Sequence, residues 1–143
     1  MNWAHNGFVV STDKGLLQID RIHKFLSTEA YWALEKPKSV IEKAIANSLC
    51  FGLFAPMGEQ VGFARVVTDS ATFAWICDVY VEKEFRGQGL SKFLMQSLMS
   101  HPDLKNLRRI LLASRDAHGL YSKLGFQATQ TPNFWMEIKD NES

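Results

Sequence analysis

Cysteine is nearly absent from this 143-residue chain, and the two that occur exclude more than they suggest. Cys50 and Cys77 stand alone in apolar runs with no C-x-x-C spacing, which argues against a zinc site and a disulfide framework; both read as buried, reduced thiols. Long apolar runs are missing as well. None approaches the ~20 residues a bilayer needs, and the opening MNWAHNGFVVSTDKG has no basic stretch leading into an apolar one. A soluble, cytoplasmic protein without membrane contact is expected. Nor is there an excess of one charge: 16 Lys plus Arg face 15 Asp plus Glu, a formal net charge of +1. No global field draws such a chain to nucleic acid, so any anion it binds must be held locally by directed groups. Repeats and low-complexity segments are absent too. What is present is globular composition, 46% hydrophobic and 22% charged. A chain of this length buries roughly two-thirds of its unfolded surface, which suits a single domain over residues 1–143 and not a two-domain enzyme.

The periodicity predicts a mixed α/β order. Gly7–Thr12 reads as a strand, and Leu16, Ile19, Ile22, His23 and Leu26 recur at helical spacing. His23 on that apolar face reads as a packed or hydrogen-bonded histidine. Ser39-Val40-Ile41-Glu42 has the pattern of a capping box opening a second helix to about Asn47. Leu49–Phe54, Val61–Val67 and Thr72–Val81 then read as three consecutive antiparallel strands. Leu90, Phe93, Leu94 and Leu98 suit a buried helix stopped near His101-Pro102, and Arg109–Ala113 a short strand covered on both faces. Asp116 is placed to cap a short helix ending at Gly125, with last strands at Phe126–Ala128 and Asn133–Ile138. The strand–helix–strand from Thr72 to Ala113 is expected to be a right-handed parallel crossover within a mostly antiparallel sheet of six or seven strands, with about four helices.

Chemistry concentrates in that crossover. Asp78-Val79-Tyr80-Val81 feeds a loop, Arg86-Gly87-Gln88-Gly89, which opens directly into the helix beginning Leu90-Ser91-Lys92. Glycines allow close backbone approach, and the first amides of a helix have no internal partner, so this is an anion cradle. Neither G-x-x-x-x-G-K-[ST] nor G-x-G-x-x-G occurs, which separates it from a P-loop and a Rossmann fingerprint. A second segment, Ser114 to Phe126, follows the last buried strand.

Together the two segments resemble the GNAT superfamily of acyl-CoA-dependent N-acyltransferases. The loop pattern Q/R-x-x-G-x-G/A is matched by Arg86 to Ser91, with Ser91 at the final small position. The pattern of an alanine followed by L-Y-x-x-x-G-F is matched by Ala117 and then Leu120, Tyr121, Gly125 and Phe126. Ser114 stands where many members have an asparagine that contacts pantetheine. The resemblance implies acetyl-CoA as co-substrate. It implies backbone pairing of Val79, Tyr80 and Val81 with the pantetheine arm, and pyrophosphate binding by the amides of Arg86, Gly87, Gln88, Gly89, Leu90, Ser91 and Lys92. A backbone amide near Val79 would face the thioester oxygen. Tyr121 would be the general acid for the departing thiolate.

The base is approached from the residues. An alkylamine is mostly protonated at neutral pH, and Asp78, on a central strand among Ala74, Ile76 and Tyr80, is the first candidate. A structural pairing of Asp78 with Arg65 or a backbone amide stands beside that reading. By the resemblance, the acceptor would lie near Tyr31, Trp32 and Trp75, with Glu29, Asp69 and Asp78 adding negative charge suited to a cationic amine. The leading expectation is an N-acetyltransferase for a primary amine of a small molecule or amino acid, by direct attack in a ternary complex. Acetylation of a protein or peptide amine and a non-catalytic acyl-CoA sensor remain alternatives. No metal site is indicated, and Phe134, Trp135 and Met136 on a terminal strand suggest an edge for a homodimer.

Overall fold

Asn6 and Gly7 both adopt positive φ, 51° and 84°, the geometry of a two-residue type I′ hairpin turn. They join β1 (Asn2–His5) to β2 (Phe8–Ser11), with His5 opposite Phe8. The computed structural model describes residues 1–28 and 36–140, and the chain divides into two compact units, Met1–Ala113 and Ser114–Ser143. In the first unit the hairpin opens a six-stranded sheet whose strand order follows the sequence. β3 (Leu49–Phe54), β4 (Gln60–Thr68) and β5 (Phe73–Val81) continue it antiparallel, and β6 (Arg109–Leu112) pairs with β5 in parallel. The parallel pair is the expected crossover, made by α3 (Leu90–Met99). β6 is only half-buried along Ile110–Leu112, less covered than its apolar run suggests.

Two helices lie between β2 and β3 in the chain: α1 (Ile19–Thr28) and α2 (Lys38–Ala46). α1 places Ile22, Phe25 and Leu26 on one stripe, where they pack with Ile41 and Ile45 of α2 and with Cys50, Phe63 and Tyr80 of the sheet. The Phe25 and Tyr80 rings stack with centroids 3.8 Å apart, adding about 0.5–1.5 kcal/mol beyond area burial. Because neighbours on a strand face opposite ways, Phe51 serves the other face, in contact with His101 beyond α3 and with Trp3. The start of α1 is tied to β4 by reciprocal bonds: the Gln18 amide donates to Gln60 Oε1 (2.7 Å) and the Gln60 amide to Gln18 Oε1 (3.1 Å).

Two helix starts differ from expectation. α2 begins at Lys38 with Pro37 as its cap and no side-chain capping bond. Proline already sets the extended cap geometry (φ −60°, ψ 146°), so Ser39 falls inside the first turn and its capping box does not form. In the second unit α4 (His118–Ser122) is capped at Ala117, not Asp116. Ser114 Oγ accepts the Ala117 N–H (2.9 Å) and so organises the turn before the helix. Gly125, at φ 98°, closes it as expected, with the Phe126 N–H reaching the Tyr121 carbonyl.

The two strands expected after Phe126 do not form among the described residues. Pro132–Phe134 is a single 3₁₀ turn, and Phe134, Met136 and Ile138 are exposed at 81%, 97% and 105%. Pro132 has no N–H to give a ladder and Gln127–Gln130 is largely polar, and the alternating Phe134, Met136 and Ile138 meet no partner strand among the described residues. No helix among the described residues is long and apolar enough to cross a membrane.

Candidate active site

β5 is where the pieces meet. Along β4 and β5 the pairing runs Arg65↔Cys77 and then Phe63↔Tyr80, so β5 carries one residue more than its partner between those pairs. This is a β-bulge, and Asp78 sits in it at φ 55°. Left-handed backbone is costly for a residue with a Cβ, and its retention here is characteristic of functional sites. The bulge also corrects the face assignment. Phe63 and Arg65 share a face, so their partners Tyr80 and Cys77 do too. Asp78 turns to that side, towards Arg65, away from Ala74 and Ile76.

Asp78 accepts a hydrogen bond from Arg65 Nε at 2.8 Å, and Arg65 Nη1 donates to Ser48 Oγ at 3.0 Å. Ser48 Oγ in turn donates to the Ala44 carbonyl of α2 (2.6 Å). The two ionic side chains are 18% and 15% exposed. Burial opposes the Arg65 charge, but the hydrogen bond and charge of Asp78 outweigh it and hold the guanidinium above its usual range. The structural reading of Asp78 as an Arg65 partner is therefore present in the geometry, and its carboxylate also reaches a cavity.

That cavity, of about 330 Å³, is walled by Leu26, Ile41 and Ile45 from the helices and by Phe63 and Trp75 from the sheet. Its polar lining is Lys36, Arg65, Asp78 and the Cys77 thiol. Burial, with Asp78 adding, pushes Cys77 up to about 12 and burial pushes Cys50 up to about 11, so neither is a nucleophile at neutral pH. Trp75 lines the pocket at 45% exposure. Tyr31, Trp32 and Glu29 lie outside the described residues. Asp69 is engaged in its own turn, accepting the amides of Ala71, Thr72 and Phe73. His23 has the expected structural role, with Nε2 3.0 Å from the Lys36 carbonyl.

The other edge of β5 is open. Its pairing with β6 ends at Ile76↔Leu112, so Val79, Tyr80 and Val81 have no strand on that side among the described residues. From there the chain enters the loop. Arg86 Nε donates to the Val81 carbonyl (2.8 Å) and Gln88 Nε2 to the Phe85 carbonyl (3.1 Å), so these side chains brace the backbone. Gly87 and Gly89 have φ of 85° and 79°, and a Cβ on either would meet nothing within 4 Å. Glycine is needed for the left-handed turn, and the space over it is open. Gly89 caps α3 without a side-chain bond, leaving the first-turn amides of Leu90, Ser91 and Lys92 without intrahelical acceptors. An open strand edge running into an uncapped helix start fits an extended amide chain ending in phosphates.

Tyr121 and Ser114 belong to the second unit. The Tyr121 ring is half-buried and meets Phe126 edge-on, centroids 6.0 Å apart. Ser114 Oγ is the turn acceptor already described. Lys36, Arg65 and Cys77 are pocket residues that sequence reasoning did not place there. Alternation with Phe63 was a usable signal for Arg65; the bulge at Asp78 carried none.

A profile for the acetyltransferase (GNAT) domain matches residues 45–128, more than half of the chain. The chain belongs to the GNAT acetyltransferase family. A GNAT-family protein of Xanthomonas campestris pv. campestris, described provisionally as an acetyltransferase, is 49% identical over 96% of this chain and 94% of its own, with a TM-score of 0.91. A protein of Gibberella zeae, also named provisionally as an acetyltransferase, is 33% identical over 85% of this chain and 80% of its own length. The N-acetylglutamate synthase of Neisseria gonorrhoeae, solved with coenzyme A and N-acetyl-glutamate, shares the fold at TM-score 0.71 and 16% identity, over 90% of this chain and 30% of its own.

Proposed function

We propose that this GNAT protein is an acetyl-CoA-dependent N-acetyltransferase that acts on the primary amine of a small molecule by direct attack in a ternary complex. The carrying observation is that one strand, β5, has a pocket with a carboxylate at its bulge and an open edge leading to an uncapped helix. The Neisseria protein that shares the fold was solved with coenzyme A, which supports coenzyme A as the class of ligand.

Bound acetyl-CoA supplies an acetyl group activated as a thioester. The backbone of Val79, Tyr80 and Val81 would hold its pantetheine arm, and the amides from Arg86 to Lys92 its pyrophosphate. The bulge at Asp78 reorients the following amides, so that the Val79 N–H can stabilise a developing oxyanion. The Asp78 carboxylate would orient the amine and take up its proton, with Arg65 fixing its position. The Tyr121 hydroxyl would carry the proton that the departing sulfur needs. A pocket of about 330 Å³ is at the small end of ligand sites, roughly 300–1,000 Å³, and suits a small acceptor over a polypeptide.

The test is free-thiol release from acetyl-CoA with a panel of amines. Tyr121→Phe is expected to lower kcat by about a hundredfold, a general-acid effect, while leaving the KM for acetyl-CoA unchanged. Unchanged turnover removes Tyr121 from the mechanism. Coenzyme A binding without thiol release for any amine favours a sensor.

A further inference from the structure

We infer that Ser48 is a positioning residue of this site, setting the Arg65 guanidinium and through it the Asp78 carboxylate. The inference rests on the N-acetyltransferase reading for its effect on rate, but not for its geometry. Ser48 is 8% exposed and stands between the end of α2 and the start of β3. The helix fixes its place there: the Ser48 N–H donates to the Ile45 carbonyl (3.3 Å) and its Oγ to the Ala44 carbonyl (2.6 Å). Both carbonyls belong to the last turn, where a helix runs out of its own donors.

Donor chemistry sets the direction of the chain that follows. Arginine has N–H donors and no acceptor. Arg65 Nη1, 3.0 Å from Ser48 Oγ, must therefore donate to it, and the hydroxyl hydrogen goes to the Ala44 carbonyl. Arg65 Nε donates to Asp78 at 2.8 Å. A planar group bonded through two of its nitrogens is held against rotation about its stem, which a single bond at Nε would leave open. The bonds run from α2 through Ser48 and Arg65 to a carboxylate, each polarising the next. They end on the bulge, where Asp78 keeps φ 55°, a backbone state that persists only where the surroundings hold it. Because Ile41 and Ile45 of α2 also wall the cavity, the chain ties that carboxylate to a wall of the pocket.

A double-mutant cycle decides it, with turnover read as thiol release from acetyl-CoA over the amine panel. Ser48→Ala is expected to lower kcat about tenfold with the KM for acetyl-CoA unchanged, and Ser48→Thr, which keeps the hydroxyl, to retain most of the rate. Asp78→Asn is expected to lower kcat about a hundredfold. Adding Ser48→Ala to it is expected to cost less than about twofold more, because Ser48 acts through that carboxylate. By NMR, the Arg65 Nε–H resonance, assigned by its absence from Arg65→Lys, is expected to be sharp in the parent and in Ser48→Thr and exchange-broadened in Ser48→Ala. Parental turnover in Ser48→Ala, effects that multiply in the cycle, or an Nε–H signal indifferent to Ser48→Ala overturns the inference while N-acetylation stands. A Ser48-dependent signal without turnover of any amine upholds the positioning and overturns the transfer activity instead.

Discussion

Asp69 shows how one carboxylate is committed by its surroundings. Its Oδ1 accepts the N–H groups of Ala71, Thr72 and Phe73 at 3.0, 2.8 and 3.2 Å, and its Oδ2 the Thr72 hydroxyl at 2.5 Å. The Thr72 hydroxyl first, and then the three amides, hold the Asp69 carboxyl far below its ordinary value of 3.8. A group depressed on folding contributes stability that is complete above its unfolded pKa and is lost as pH falls through 3.8 towards the folded value. Asp69→Ala is therefore expected to lower Tm by a few degrees at about pH 6, with the gap to the parent narrowing by about pH 2.5. Thermal melts across that range check it; a gap independent of pH would assign the loss to the turn's shape and not to the charge. Asp78 is the contrasting residue. Its candidacy was legible because a carboxylate within an apolar strand demands a partner, and Arg65 was legible as that partner. The left-handed backbone that aims it was not, because sequence patterns flag that conformation through glycine.

Between elements, an ion pair links α1 to the loop before α3. Arg21 donates to Glu82 through Nε (3.1 Å) and Nη2 (2.6 Å), in a fork whose side chains are 38% and 16% exposed. Glu82 stands at the loop entrance, its amide on the Val61 carbonyl (2.7 Å) and its carbonyl accepting the Phe85 N–H (2.9 Å). The pair thus joins the helix that walls the cavity to the segment proposed to hold phosphates. Arg21→Gln is expected to raise the KM for acetyl-CoA by about three- to tenfold with kcat nearly unchanged, and exchanging the pair as Arg21→Glu with Glu82→Arg to restore much of it. A fall in kcat at constant KM would argue against a role in positioning the loop. Elements with strong periodicity were legible: β3, β4, β5 and α3 fall within a residue or two of their expected bounds. β1 was missed although Asn6-Gly7 is a hairpin turn signal, because Trp3 is the only strongly β-prone residue before it. Phe134-Trp135-Met136 suggested a strand by composition, but strands need partners as well as propensity.

At the scale of the whole chain, stability is unevenly shared. β3 to β5 hold most of the fully buried side chains of the sheet, among them Phe51, Leu53, Phe63 and Val66. In the second unit, residues 127–140 form no strand ladder and nearly all are exposed. Opening free energy follows burial and hydrogen bonding, so amide exchange followed by mass spectrometry is expected to be slowest across 49–81 and complete within about a minute across 127–140. A net charge of +1 supplies no broad attraction for phosphates, so coenzyme A must act through local donors. Its addition should therefore slow exchange at 79–81, where an added strand would cover the open edge of β5, and at 86–92, where the uncapped amides of α3 begin. Protection spread evenly over the sheet, with 86–92 unchanged, would mean that the ligand stabilises the fold without using that loop, and the assignment of the phosphate cradle would fall.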